Sequence, residues 1–189
     1  NFVLDHLSLS STEYFTTMDK LTYDRKDADQ IEALADWLDE NLSDGETAYM
    51  IPNDMLYNPD HFKYCDLPEI RLSGKLSDSF SVPGTHNFPM QFFEAKYVIT
   101  ADPFPQTYAF EGELSHVFNE KFLAVRKQYF EQVKRFDMGN GTVFTVWKRT
   151  TEPTREEIEY YLRAFAAEDA QYPEMFSEVA EQWMANHGL

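Results

Sequence analysis

The side chains best suited to chemistry gather between Pro52 and Pro68, where Asp54, Asp60, His61 and Asp66 share a loop-rich stretch. Carboxylates and imidazole are the usual oxygen and nitrogen ligands of calcium and zinc. Asp60 and His61 are adjacent, however, so their side chains diverge unless the backbone turns sharply, and further ligands would have to come from elsewhere. Asp60 beside Pro59 reads instead as a turn former capping a short helix. His86, in Gly84-Thr85-His86-Asn87, could move a proton because imidazole titrates near neutrality; a loop histidine is the plainer reading. Cys65 is the single cysteine. It lies next to Asp66 with no neighbouring cation to favour the thiolate, and reads as a small buried hydrophobe, not a nucleophile. No serine stands in a G-x-S-x-G elbow. With 33 acidic residues, the spacing of carboxylate pairs carries no information about glycoside chemistry. The residues therefore predict no catalytic set, no metal site and no cofactor.

The glycines agree with that reading. There are only seven, and none builds a G-x-G-x-x-G or a P-loop. Gly139-Asn140-Gly141 has no following helix whose N-terminus could hold phosphate, and reads as a turn. The net charge of −17 repels nucleic-acid phosphates and anionic lipid headgroups, so nucleic acid is not an expected partner. Aromatic residues make up 16% of the chain. Phe88, Phe92, Phe93, Phe104 and Phe110 could stack on sugars, but their density around prolines favours core packing.

A chain of 189 residues can bury roughly 70% of its unfolded surface. No apolar run approaches the ~18 residues of a membrane helix, and no signal-peptide pattern is visible. The sequence begins at Asn1 rather than Met, which suggests a piece of a longer polypeptide with any targeting or membrane segment removed. A processed mature protein is the alternative.

The elements that must position these residues follow from periodicity. Phe2, Val3, Leu4, Leu7 and Leu9 suggest a first strand, and Tyr14, Phe15, Met18 and Leu21 a short helix. Asp27 and Gln30 stand in capping-box relation ahead of Ile31, Leu34, Ala35, Leu38 and Leu42, a helical stripe. Gly45 ends it, and Thr47–Ile51 reads as a strand. Between residues 53 and 89 six prolines and glycines leave room only for short pieces, at Met55–Tyr57, His61–Tyr64 and Phe88–Glu94. Tyr97–Ala101 reads as a buried strand, and Glu111–Lys127 as a helix with Leu114, Phe118, Phe122 and Val125 on one face. Tyr129–Phe136 and Thr142–Trp147 read as a β-hairpin about the Gly139–Gly141 loop. Thr154 and Glu157 form a second capping box before the stripe Ile158, Tyr161, Leu162 and Phe165. Glu156, Glu157 and Glu159 read as a solvated helix face. Pro173 opens a last helix with Met175, Phe176, Val179 and Trp183 in line.

The prediction is thus an α/β fold: a small mixed sheet with packed helices, a closing β-hairpin and a C-terminal two-helix extension. Residues 1–150 form the α/β domain, and residues 151–189 form the helical extension packed on or beside it.

The order Lys96-Tyr97-Val98-Ile99-Thr100, Ala101-Asp102-Pro103, a helix through Phe118, Tyr129-Phe130, Phe136, Gly139-Asn140-Gly141 and Val143–Arg149 resembles the C-terminal soluble domain of bacterial multi-pass membrane glycosyltransferases. These are polyprenyl-phosphate-sugar-dependent enzymes of the protein mannosyltransferase-like group. The helix Asp29–Leu42 and strand Thr47–Ile51 resemble the start of that domain, so the resemblance spans residues 27 to 149. It implies a non-catalytic domain at the extracytoplasmic face of the bacterial membrane, since the family's catalytic acid lies in the membrane-embedded part and matches nothing here. It also implies two partners, a glycan or glycosylated acceptor and the membrane-embedded part of the same polypeptide. Sugar contact would fall to loop residues flanking the strands: Asn53, Asp54, Tyr57, His86, Asn87 and Phe88. Two rivals stand beside this expectation. One is a free-standing hydrolase or transferase using Asp54, Asp60 and His86. The other is an interaction module whose Met175, Phe176, Val179 and Trp183 stripe binds a partner.

Overall fold

The computed structural model describes residues 25–53, 56–65, 72–78, 88–105, 112–168 and 172–189. Within them the chain is α/β, with five strands in one mixed sheet and six helices. The readings made for residues 2–21, for Met55, and for Asp54, Asp66, His86, Asn87 and Phe110 lie outside the described residues.

Helix α1, Ala28–Asn41, buries Ile31, Leu34, Ala35 and Leu38, the i, i+3, i+4, i+7 stripe of a helix with one face on a core. The Leu42 N–H closes it on the Leu38 carbonyl at 2.9 Å, and Gly45, at φ +82°, turns the chain into β1. Strand β1, Ala48–Met50, is buried on both faces, as an inner parallel strand must be when helices cover each side. Helix α2, Pro59–Lys63, follows. Asn58 caps it, accepting from the Asp60 and His61 N–H groups, with Pro59 at its first turn. The cap is therefore Asn58, not Asp60. Asn58 sits in extended backbone, where its short side chain reaches back to the free amides.

Strand β2, Leu76–Asp78, is parallel to β1. Helix α3, Met90–Glu94, precedes β3, Tyr97–Asp102, which lies parallel to β1 on its other side. Helix α4, Gly112–Tyr129, runs directly into β4, Phe130–Asp137, and β5, Val143–Arg149, returns antiparallel between β4 and β3. The strand order is β2-β1-β3-β5-β4. The hairpin turn uses Gly139 and Gly141 at positive φ, with the Asp137 and Asn140 side chains accepting from the Gly139 and Thr142 N–H groups. Helices α5, Arg155–Glu168, and α6, Tyr172–Asn186, complete the chain.

Strand alternation divides the interior into two cores. Ala48, Met50, Ile99, Phe144 and Val146 face α1 and α2. Tyr49, Ile51, Val98 and Trp147 face the other way, onto Phe92 and Phe93 of α3, Phe118 and Phe122 of α4, Tyr161 and Phe165 of α5, and Phe176 of α6. A bulge in β4 between Gln132 and Lys134 lets that strand serve both cores. Phe130 points into the second core and Phe136 into the first, because the extra residue shifts the side-chain alternation by one. The C-terminal helices pack on the sheet and share its second core. Phe176 is buried there while Val179 is exposed, so the stripe read for α6 is divided between core and solvent.

Candidate functional site

Of the sequence-expected binding residues, Asn53, Tyr57 and Phe88 are among those described. Asn53 follows β1 and is half-buried. Tyr57 is only 2% exposed and belongs to the α1/α2 core. Its ring meets Phe144 edge-on at 4.9 Å and lies under the Arg25 guanidinium. Its hydroxyl donates to Asp27 Oδ2 at 2.5 Å and accepts from Asn140 Nδ2 at 2.6 Å. Phe88 is 1% exposed in the other core, stacked on Phe93 and packed against Phe165 and Phe176. The sheet thus separates Tyr57 from Phe88, and neither offers a ring face to a ligand. Asp60 is exposed and pairs with Lys63 at 3.3 Å, one helical turn away.

Asp27 was expected to cap α1, and does not. Its carboxylate is taken by Arg25, at 2.8 Å from both Nε and Nη2, and by Tyr57. Two charge-assisted bonds outweigh one backbone amide. The Arg25 guanidinium, with help from the Tyr57 hydroxyl, holds the Asp27 carboxyl below its ordinary value. Burial, then the neighbouring Asp27, raises Tyr57. This network joins the start of α1, the loop after β1 and the hairpin turn. Tyr57→Phe removes its central hydroxyl and is expected to cost about 1.5–3 kcal/mol. The check is a lower urea midpoint at unchanged slope. Because folding lowers the Asp27 pKa, its stabilisation is complete above about pH 4 and is lost as pH falls through the depressed value.

A second region was not anticipated. A cleft of about 600 Å³ opens at the opposite end of the sheet, where β1 and β3 begin and β5 ends. Backbone hydrogen bonds set its base: the Lys96 N–H donates to the Thr47 carbonyl and the Arg149 N–H to the Lys96 carbonyl, each at 2.9 Å. On one wall, Lys96 Nζ donates to Glu46 Oε2 at 2.6 Å and to the Asn41 carbonyl at 3.0 Å. The Glu46 carboxyl is held low by Lys96 and by the Ser43 N–H, and Lys96 is raised by Glu46. On the facing wall, Trp183 Nε1–H donates to Glu94 Oε1 at 2.8 Å. The His187 ring stacks on the indole, centroids 3.8 Å apart and planes 20° from parallel.

Beneath the cleft lies an ion pair that the sequence reading placed in solvent. Glu157 is fully buried, and its two carboxylate oxygens accept from Arg149 Nη1 at 3.2 and 2.9 Å and from Nη2 at 3.2 Å. The Arg149 guanidinium lies over Phe130, 4.4 Å from the ring centre, and 5.5 Å from that of Phe92. The expected Thr154 cap is present, accepting from the Glu157 N–H at 3.1 Å. The signal for burial was available. Glu157 stands one position before Ile158 and four before Tyr161, on the edge of the very stripe that identified α5.

Several polar groups of the cleft hold one another in place. Glu46 and Glu94 are engaged by Lys96 and Trp183, and the Thr150 hydroxyl donates to the Tyr129 carbonyl. Among the described residues no group of three or more His, Cys, Asp and Glu side chains could hold a metal ion, and no helix is long and apolar enough to cross a membrane. No family model matches the chain. No curated protein matches it. No solved structure matches its fold.

Proposed function

We propose that this chain is a non-catalytic, extracytoplasmic domain of a membrane glycosyltransferase that uses polyprenyl-phosphate sugars. It contributes the binding or positioning of a glycan or glycosylated acceptor beside the membrane-embedded part of the same polypeptide. The observation that carries the reading is the cleft: roomy, polar, edged by the Trp183 and His187 rings, and with Glu46 and Glu94 committed to partners instead of standing beside a nucleophile. The family resemblance supports it from another side. The segments that carry the resemblance become β1, β3 and the β4–β5 hairpin, neighbouring strands whose ends form the base of the cleft.

The test compares membranes carrying the whole polypeptide with membranes carrying a version lacking this domain, using a radiolabelled polyprenyl-phosphate sugar. Loss of the domain is expected to raise the acceptor KM at least about tenfold while leaving slow transfer to water, the signature of lost acceptor binding. The isolated chain is expected to turn over nothing. Glycan turnover by the isolated chain, or an unchanged acceptor KM, overturns the proposal.

A further inference from the structure

We infer that the cleft at the start of β1 and β3 is a carbohydrate subsite for a short neutral or amino-substituted glycan; this rests on the reading of the chain as a glycan-facing domain. Four features of the cleft argue for it. Its volume, about 600 Å³, is that of a small-ligand site and accommodates a short oligosaccharide. One wall is a stacked pair of rings, Trp183 and His187, with His187 exposed. Ring faces receive the C–H face of a pyranose, and an aromatic body with a polar edge suits a ligand that is itself amphipathic. Glu94, fixed by the indole N–H, and Glu46, fixed by Lys96, bring carboxylate oxygens to the rim. Carboxylates accept charge-assisted bonds from hydroxyl or ammonium groups, and their anchored geometry lowers the ordering cost of binding.

Charge then selects among glycans. Glu46, Glu94 and Glu152 line the cleft against Lys96 and Arg149, and Arg149 is already matched by Glu157 beneath it. The excess is negative, as on the chain as a whole. Uronates and phosphorylated sugars meet repulsion there, neutral sugars meet none, and amino sugars are attracted. The site also lies at the end of the sheet where β1 and β3 begin, away from the end where ligands of open α/β sheets usually bind. Tyr57 and Phe88, the aromatic loop candidates, are interior.

The test uses the ¹⁵N-labelled 189-residue chain titrated with three probes: maltotriose, a glucosamine trimer and a galacturonate trimer. The expected result is a saturable shift of the Trp183 indole N–H, assigned with Trp183→Phe, for the first two probes, with dissociation constants of about 0.1–10 mM. His187→Ala and Glu94→Gln alter exposed side chains, and each is expected to weaken binding about fivefold or more while the melting temperature stays in place. Shifts confined to other parts of the chain, insensitive to both substitutions, overturn the cleft assignment and leave the accessory-domain reading standing. Galacturonate binding as tightly as the others overturns the charge argument and with it the ligand class. No shift with any probe overturns the subsite outright, whereas the accessory reading falls only with the acceptor KM measurement.

Discussion

Replacing Glu157 by alanine is expected to lower stability by about 3–5 kcal/mol, a fall in melting temperature of about 6–20 °C for a chain of this size. Glu157 is fully buried, and the Arg149 side chain is nearly so. Deleting the carboxylate leaves a guanidinium between the Phe92 and Phe130 rings with its countercharge gone. The penalty is the desolvation of that stranded cation, and it exceeds the worth of the pair itself. A double substitution, Arg149→Met with Glu157→Leu, removes both charges and keeps the volume. It is expected to recover most of the loss, because apolar replacements of buried pairs are often neutral or better. Thermal melts of the three variants check the claim; a single variant within about 1 kcal/mol of the parent would show that the pair is not buried in solution. The pH dependence has a definite sign. Burial raises the Glu157 carboxyl in spite of Arg149. A carboxyl whose folded pKa lies above its unfolded value binds more protons in the folded state, so its contribution falls as pH rises from about 4.3 through the raised value. Asp27 runs the other way and in a lower window, its contribution being lost as pH falls below about 4.

What the sequence disclosed was whatever is decided by near neighbours. The α1 stripe, the Val98-Ile99 strand centre, the glycine turn of the hairpin and the Thr154 cap are all local patterns, and each formed as read. Strand β2 was not legible. Leu76-Ser77-Asp78 contains no β-branched or aromatic residue and becomes a strand because β1 offers it a parallel edge, with the Ser77 hydroxyl donating to the Ala48 carbonyl. Asp27 shows the converse failure. Its spacing to Gln30 is that of a capping box, but Arg25 and Tyr57, thirty residues away in the second case, compete for the same carboxylate and win.

The cleft was hidden for a related reason. Chemical typing looks for reactive side chains close together, and Glu46, Lys96, Arg149 and His187 are spread across most of the chain. They converge because β1, β3 and β5 are neighbours whose ends are tied at Thr47, Lys96 and Arg149, and because α6 returns over α3 to place Trp183 beside Glu94. Each residue on its own is an ordinary surface charge or a helix aromatic. Two of the loop candidates, Tyr57 and Phe88, are interior. Large rings flanked by prolines in a chain this aromatic are claimed first by the interior.

That interior supplies the second large effect, at Phe92. Its ring meets Tyr49 of β1, Phe118 and Phe122 of α4, Phe130 of β4 and Tyr161 of α5, mostly edge to face at 4.9–6.0 Å. Phe92→Ala opens a cavity between elements from both halves of the chain and is expected to cost about 3–5 kcal/mol, read from the denaturation midpoint. Phe92→Leu keeps more of the volume and should cost distinctly less. The more telling readout is coupling. Phe92 also flanks Arg149, so Phe92→Ala and Glu157→Gln should combine non-additively by about 0.5–3 kcal/mol. Phe92→Ala and Tyr57→Phe act on opposite faces of the sheet and should add within about 0.5 kcal/mol. If the first pair adds and the core still unfolds in one step, the C-terminal helices lean on the sheet without sharing its energetics, and the floor of the cleft is not the rigid base that binding there requires.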